Sequence, residues 1–326
     1  MIRTLADIDW DNFAPHDTAT LMFIIRGGQV LLIRKLRGLG AGKINAPGGR
    51  REGDETLAAT AIRETIEEVG VTPHEPRERG LLQFAFADGY RLQCHVFSSD
   101  GCDGEATESP EAIPLWTPLE AIPYAEMWAD DALWVPRMLA GRTPFHGRFV
   151  FEGDAMLDVD LRCHDPAEAL FERLSALRIT THTVAHAPVF TVREAQAVRA
   201  TTGEGLHTRN LFLRDKKGRM WLFTVAEDRP VDLAALAAHV GTRHFTFGSP
   251  ARLRAHLGVE PGSVTPFAVM HDTAQQVGFV LDSTLADAPD VHVHPLTNDR
   301  TTRISGSDLV RFAAACGHEP VFLDGP

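Results

Sequence analysis

The stretch that decides the fold of the first half runs from Gly49 to Val71, GRREGDETLAATAIRETIEEVGV. Glu55 follows Gly49 after five residues, Arg63-Glu64 come after seven more, Glu67-Glu68 after two, and Gly70 with an aliphatic after one. Glu64, Glu67 and Glu68 stand at i, i+3 and i+4, so a helix over about Glu55 to Val69 brings three carboxylates to one face. Three like charges repel, and hard carboxylate oxygens are the donors that Mg²⁺ or Mn²⁺ prefers, with phosphate oxygens completing the shell. Just upstream, Ala46-Pro47-Gly48-Gly49 is a tight turn in which the Gly48 carbonyl can approach a metal, and Gly70 supplies the helix stop. An acidic helix face is ordinarily just solvated. The arginine, the glycine turn and the spacing together point instead to a divalent-metal site that takes phosphate oxygens.

Composition sets wide bounds around this motif. At 326 residues the chain exceeds the usual single-domain length of about 100 to 200, so two domains are expected. The formal charge of −12 is uneven: residues 1–164 hold 16 Lys and Arg against 26 Asp and Glu, while residues 165–326 hold 16 against 18. The acidic half carries the glutamate motif, as suits a domain that recruits cations, and the near-neutral half permits nucleic-acid contact without requiring it. Cys94, Cys102, Cys163 and Cys316 show neither CxxC nor zinc-type spacing and suit a reducing compartment. The opening MIRTLADIDWDNFAP has acids where a targeting peptide is basic, and no apolar run approaches the ~18 residues of a membrane span. A cytoplasmic protein with no membrane partner is expected, and its oligomeric state stays open.

Runs of β-favouring side chains predict strands over Thr18–Ile25 and Gln29–Lys35 around a Gly27-Gly28 turn, then over Gly80–Ala87, Tyr90–Ser98 and Ile113–Thr117. A helix is expected from about Asp130 to Gly141 and a hairpin over Phe145–Arg162 with Glu152-Gly153-Asp154 at its turn. This is an α+β layout with helices on a mixed sheet. His164-Asp165-Pro166 is a helix-start signal, which puts one domain at residues 1–163 and a second at 166–326. The second reads as mixed α/β, with strands at Thr181–His186, Asn210–Arg214, Met220–Val225, Val277–Leu281 and Val291–His294. Its helices are placed at Ala167–Leu177, Val192–Arg199, Leu233–Ala238, Pro250–Leu257 and Ser307–Ala315.

The glutamate motif resembles the Nudix box. GLGAGKINAPGG at Gly38–Gly49, EMWADDALW at Glu126–Trp134 and PFHGRFVFEG near the domain's end extend the resemblance over most of residues 18–162. They are similar to the oxidised-purine nucleoside triphosphate diphosphatases, the enzymes typified by 8-oxo-dGTP hydrolysis. The resemblance implies an α/β/α sandwich, Mg²⁺ (or Mn²⁺) as cofactor, and cleavage of a nucleoside triphosphate to monophosphate and pyrophosphate. Carried over residue by residue, Glu64 and Glu68 become principal metal ligands with the Gly48 carbonyl, and Glu67 and Glu111 further ligands or the general base. Arg63 would orient a box glutamate through a bidentate pair, with Glu55 bracing the loop. Which glutamate acts as base stays open.

The same resemblance assigns Asn45, Trp128, Asp130 and Asp131 to the purine. Two adjacent carboxylates do not both ionise cheaply in a dry pocket, so such a pair offers donor and acceptor together to a base edge altered by oxidation. Trp128 offers a stacking face. The plainer reading is that Asp130-Asp131 caps the following helix. Leu39 and Ile44 depart from the aromatic residues often found at these positions in the family, which leaves the purine preference open.

From Thr181 onward, HAPVFTVREA at His186–Ala195, GLHTRNLFLRD at Gly205–Asp215, PGSVTPF at Pro261–Phe267 and HPLTND at His294–Asp299 resemble the YbaK/ProX family. The match is to its freestanding prolyl-tRNA editing branch, which deacylates alanyl-tRNA(Pro). In that light Arg209 and Asn210 orient the aminoacyl ester, the GxxxP loop from Gly262 to Pro266 holds the terminal ribose or ester carbonyl with its amides, and His294 borders a small pocket for alanine. The family's usual lysine is replaced by Arg209, which keeps the charge but not the neutral amine. Arg209, Arg214, Lys216, Lys217 and Arg219 are candidates for tRNA phosphate, although a lone histidine is often structural and Lys216-Lys217-Gly218 also reads as a solvated turn.

The resulting expectation is a bifunctional quality-control enzyme that sanitises nucleotides and edits aminoacyl-tRNA. Its alternative is a Nudix hydrolase of another nucleoside diphosphate derivative joined to a tRNA-binding module without catalysis.

Overall fold

Continuous apolar runs draw Asp17–Arg26 and Gln29–Lys35 into an antiparallel pair, joined by Gly27 and Gly28 in the left-handed region that a two-residue hairpin turn demands. These coordinates are a computed structural model, which describes residues 2–189 and 192–324. The chain divides into two compact units, Met1–His164 and Asp165–Pro326.

Among the described residues, the first unit holds an eight-stranded mixed sheet. Its order is Ala155–Cys163, Phe145–Glu152, Arg77–Phe86, Arg91–Ser99, Asp17–Arg26, Gln29–Lys35 and Ile44–Asn45, with Ala112–Pro118 also pairing Gln29–Lys35. The pairs Asp17–Arg26 with Arg91–Ser99 and Arg77–Phe86 with Phe145–Glu152 are parallel. The glutamate helix is Leu57–Val69, with Thr56 accepting from the Ala59 amide at its start and Gly70 closing it at φ 74°. It therefore begins two residues later than the motif suggests, and Glu55 stands outside it. Ala61 and Val69 press against Met22, Ile24 and Leu31, which turns the glutamate face along the sheet. The helix Asp131–Leu139 buries Trp134, stacked on Phe145 at 5.3 Å and edge-on to Phe23 at 5.6 Å.

The second unit is a mixed sheet in the order His182–Ala185, Arg300–Ile304, Val291–Val293, Leu206–Asp215, Met220–Ala226, Val277–Asp282 and Val321–Leu323, with Phe245–Phe247 also pairing Leu206–Asp215. Leu206–Asp215 is central. Its Phe212 joins a core with Leu170, Phe267 and Phe312, while Leu213 joins a separate core with Phe223 and Phe245, so alternate side chains serve opposite faces. Arg300–Ile304, Phe245–Phe247 and Val321–Leu323 are strands the sequence pattern does not announce. RTTRI is polar because its threonines pair across the sheet, and the other two are three residues long.

Candidate active sites

In the first unit a cavity of about 530 Å³ lies between the helix Leu57–Val69, the Asn45–Arg50 turn and the sheet, within the usual size for a small-molecule site. Glu64, Glu68, Gly48 and Glu111 line one end, and Asn45, Trp128, Asp130 and Asp131 line the other. Glu67 does not line the cavity and is 56% exposed.

Arg63 organises the carboxylate end. Its Nε and Nη2 donate to the two Glu55 oxygens at 2.8 and 3.1 Å, while Nη1 reaches Glu64 at 2.9 Å and Glu67 at 3.0 Å. The bidentate pair expected with a box glutamate is thus made with Glu55, because Glu55 precedes the helix and is free to wrap onto the guanidinium. Those hydrogen bonds lower the Glu55 pKa to about 2. Glu68 is 1% exposed: its Oε2 accepts from the Gly48 amide at 2.8 Å and its Oε1 pairs with Lys35 Nζ at 3.1 Å. Burial raises the pKa of Glu68 and of Glu64, opposed by Lys35 and Arg63 respectively. Glu111 pairs with Arg37. A Cβ at Gly49 would fall on the Glu64 carboxylate and one at Gly48 on the Thr20 carbonyl, so this turn can approach only as glycine.

At the other end Asp130 and Asp131 are both buried. Asp130 Oδ2 accepts from Trp134 Nε1 at 3.0 Å and Asp131 Oδ2 from the Trp128 amide at 3.0 Å. Asp130 occupies the N-cap position with helical backbone and makes no capping bond, so the plain capping reading fails for it. Burial pushes its pKa up to about 6, and burial together with the Asp130 charge raises Asp131 well above the usual carboxylate range. Asn45 Oδ1 accepts from the Ala46 amide at 2.8 Å. Trp128 is edge-on to Phe151 at 5.8 Å, with Lys43 Nζ 4.9 Å from the ring centre.

In the second unit the loops meet around Asn298, which donates to the Val189 carbonyl at 3.3 Å and whose Nδ2 lies 3.4 Å from where a Gly262 Cβ would stand. Phe190 and Thr191 of the first motif lie outside the described residues. In the GxxxP loop the Ser263 amide donates to the Glu260 carbonyl, and Pro266 is buried at the start of a 3-10 turn, Pro266–His271. His294 Nδ1 contacts the Arg300 carbonyl at 3.1 Å, its ring lies 6.5 Å from His186, and burial lowers its pKa.

Arg209 and Asn210 lie apart. As neighbours in the middle of Leu206–Asp215 they face opposite sides of the sheet. Asn210 accepts from Thr224 Oγ1 at 2.8 Å on the Phe212 side, whereas exposed Arg209 donates to the Glu227 carbonyl at 2.5 Å. Arg209 shares its face with His207, which stacks on His292 at 4.6 Å and whose pKa burial lowers to about 4.

The NUDIX domain model matches residues 15–138 and the aminoacyl-tRNA editing domain model matches residues 186–312. The first half is 42% identical over 135 residues to the oxidized purine nucleoside triphosphate hydrolase of Danio rerio, covering 41% of this chain and 86% of the relative. The second is 38% identical over 173 residues to prolyl-tRNA synthetase associated domain-containing protein 1 of Danio rerio, covering 52% of this chain and 91% of the relative. It is also 34% identical over 155 residues to the prolyl-tRNA editing protein ProX of Acetoanaerobium sticklandii, covering 47% and 94%. The chain belongs to both families. It joins a NUDIX hydrolase domain to an aminoacyl-tRNA editing domain, and it is a hydrolytic enzyme.

A divalent metal is the usual companion of a NUDIX domain. Among the described residues no three His, Cys, Asp or Glu side chains stand in an arrangement that would hold one. In kind the donors fit: Glu64, Glu68 and Glu111 offer hard oxygens to one cavity, and binding there requires the oxygens held by Lys35 and Arg37 to be released.

The sequence pattern did not single out those two cations or the aromatic wall of the NUDIX cavity, Phe84, Phe86 and Phe151. The i, i+2 spacing of Phe84 and Phe86 on a strand was the available signal. Among the described residues no helix is long and apolar enough to cross a membrane.

Proposed function

We propose that the NUDIX domain hydrolyses oxidised purine nucleoside triphosphates to the monophosphate and pyrophosphate with Mg²⁺ (or Mn²⁺). The observation that carries this reading is the buried Asp130-Asp131 pair beside Trp128, in the same cavity as Glu64 and Glu68. With one proton shared between them, the two carboxyls present a donor and an acceptor to the purine edge while its ring stacks on Trp128. The triphosphate then extends toward Lys35 and Arg37, and water attacks phosphorus as the bond to the pyrophosphate breaks. Bound at Glu64, Glu68, Glu111 and the Gly48 carbonyl, the metal would neutralise charge developing on the phosphate oxygens. Arg63 holds Glu64 in place, and a glutamate takes the proton of the water.

Initial rates of pyrophosphate release across 8-oxo-dGTP, 2-hydroxy-dATP, dGTP and nucleotide sugars test this, with Glu68→Gln as control. Preference for an oxidised purine, lost in the control, supports it. Preference for unmodified or sugar-linked substrates overturns the purine assignment.

For the editing domain we propose hydrolysis of the ester in alanyl-tRNA(Pro), releasing alanine and intact tRNA. No protein nucleophile is required, because the 2′-hydroxyl of the terminal adenosine assists the water, with the Gly262–Pro266 loop and His294 bordering the ester. The separation of Arg209 from Asn210 favours a second reading, a tRNA-binding module without catalysis. Deacylation by wild type and Arg209→Lys separates them: release of alanine by neither protein leaves the binding module.

A further inference from the structure

Several arginines of the second unit have an acid to hold. Arg199 pairs with Glu227, Arg229 with Asp282, Arg300 with Asp165, Arg303 with Asp290 and Arg311 with Asp308. Lys216, Lys217, Arg243 and Arg252 are exposed, and none of them has an ion-pair partner among the described residues. The sheet register brings three of them together. Phe245–Phe247 runs antiparallel to Leu206–Asp215 with Asp215 opposite Phe245 and Leu213 opposite Phe247, so the turn that carries Lys216 and Lys217 leaves the pair at the same end where Arg243 leads into it. Arg252 follows from the first turn of the helix Pro250–Leu257. From Arg243 to His256 the chain has five basic or histidine side chains and no acid.

On this strand stands Phe247, 66% exposed, while Phe245 two residues earlier is buried in the core. An aromatic ring held in solvent on a strand with unpaired cations before and after it in the chain is the chemistry of a nucleic-acid platform: cations take phosphates, and the ring takes the face of an unpaired base. The strand provides the geometry. Phe247 lies opposite Leu213, which shares a face with Arg209, and the four-residue step from Leu213 back to Arg209 spans roughly 13 Å at about 3.3 Å per residue.

We propose that Phe247 with Lys216, Lys217, Arg243 and Arg252 forms an RNA-docking surface that engages the acceptor arm of the tRNA whose 3′ end enters near Arg209 and His294. The assignment of this RNA as an editing substrate rests on the reading of the second unit given above. The phosphates bind the four cations and Phe247 stacks on an exposed base. The surface contributes to binding and has no part in the hydrolytic step.

The test uses the full chain and two substrates, intact alanyl-tRNA(Pro) and 3′-alanyl-adenosine, which lacks the arm. Phe247→Ser should raise KM for the intact substrate roughly five- to tenfold, the lower end of what loss of one base stack costs, with kcat unchanged. The small substrate should be unaffected, and Phe247→Tyr should restore the wild-type KM. Lys216→Ala with Lys217→Ala should weaken tRNA binding and lower the slope of log K against log salt by about one to two. An unchanged KM in Phe247→Ser, or equal loss on both substrates, overturns the proposal. So does a wild-type oligomer that Phe247→Ser dissolves, since the ring then serves a second copy of the chain. If wild type deacylates neither substrate yet filter binding to tRNA still depends on Phe247 and salt, the surface stands and the editing assignment falls.

Discussion

The two units treat their motifs differently. In the first, Glu64 and Glu68 are separated by one helical turn, and the fold closes them over one cavity with Asp130 and Asp131. In the second, Arg209 and Asn210 are adjacent on a strand and are sent to opposite faces. The lesson is geometric: i, i+4 on a helix is a statement of proximity, whereas i, i+1 on a strand is a statement of separation.

The sharpest way to break the contrast is inside the helix. Glu68→Gln should lower kcat of pyrophosphate release on the order of 10²–10³-fold, as expected when several kcal/mol of transition-state stabilisation is lost. Glu67→Gln, outside the cavity, should lose about tenfold or less, 1.4 kcal/mol at most. A larger loss at Glu67 in initial-rate assays would mean that the helix face and not the cavity defines the site.

Next in size is Trp134→Phe, which keeps the ring stack and removes the donor to Asp130. It should cost about 1–3 kcal/mol in urea unfolding of the NUDIX unit, the price of leaving a buried polar group unsatisfied. Stability unchanged in that variant would show that Asp130 needs no fixed partner.

The pair also has a pH signature. Both carboxyls have folded-state pKa values raised by burial, so the folded protein binds protons that the unfolded chain releases. Stability is therefore greatest below the usual aspartate pKa, about 4, and declines as pH rises through about 6 for Asp130 and beyond for Asp131. Asp131→Asn should flatten the upper part of this decline, raise the unfolding midpoint at pH 8, and weaken discrimination between 8-oxo-dGTP and dGTP. Unfolding curves from pH 4.5 to 8 read the first effect; a decline of unchanged slope would contradict the shared burial of the pair.

The smallest effect is expected at the strand. Arg209→Lys should change alanyl-tRNA deacylation by a few-fold at constant tRNA affinity, about 1 kcal/mol or less. If the variant loses tRNA binding instead, Arg209 belongs with the docking cations.

Much of the layout was readable in the chain. The i, i+3, i+4 carboxylates, the Pro47-Gly48-Gly49 turn and Gly70 specify a helix, its entry and its stop through local backbone preferences, and the structure displaces only the helix start, from about Glu55 to Leu57. Strands with continuous apolar runs, such as Gln29–Lys35 and Met220–Ala226, were equally legible because both their faces are buried. The strand Arg300–Ile304 was not, since its stability comes from cross-strand partners that polar residues do not advertise.

By itself, then, the sequence determined which residues lie near each other along a turn of helix and the chemistry each motif can offer. The tertiary structure decided the rest: that Arg63 spends its bidentate pair on Glu55, that Glu67 stays outside the cavity, that Asp130 answers to Trp134, and that Arg209 and Asn210 part company. The physical reason is range. Helix spacing, caps and turns act over a few residues, while burial, pKa and the face a strand presents are set by segments distant in the sequence.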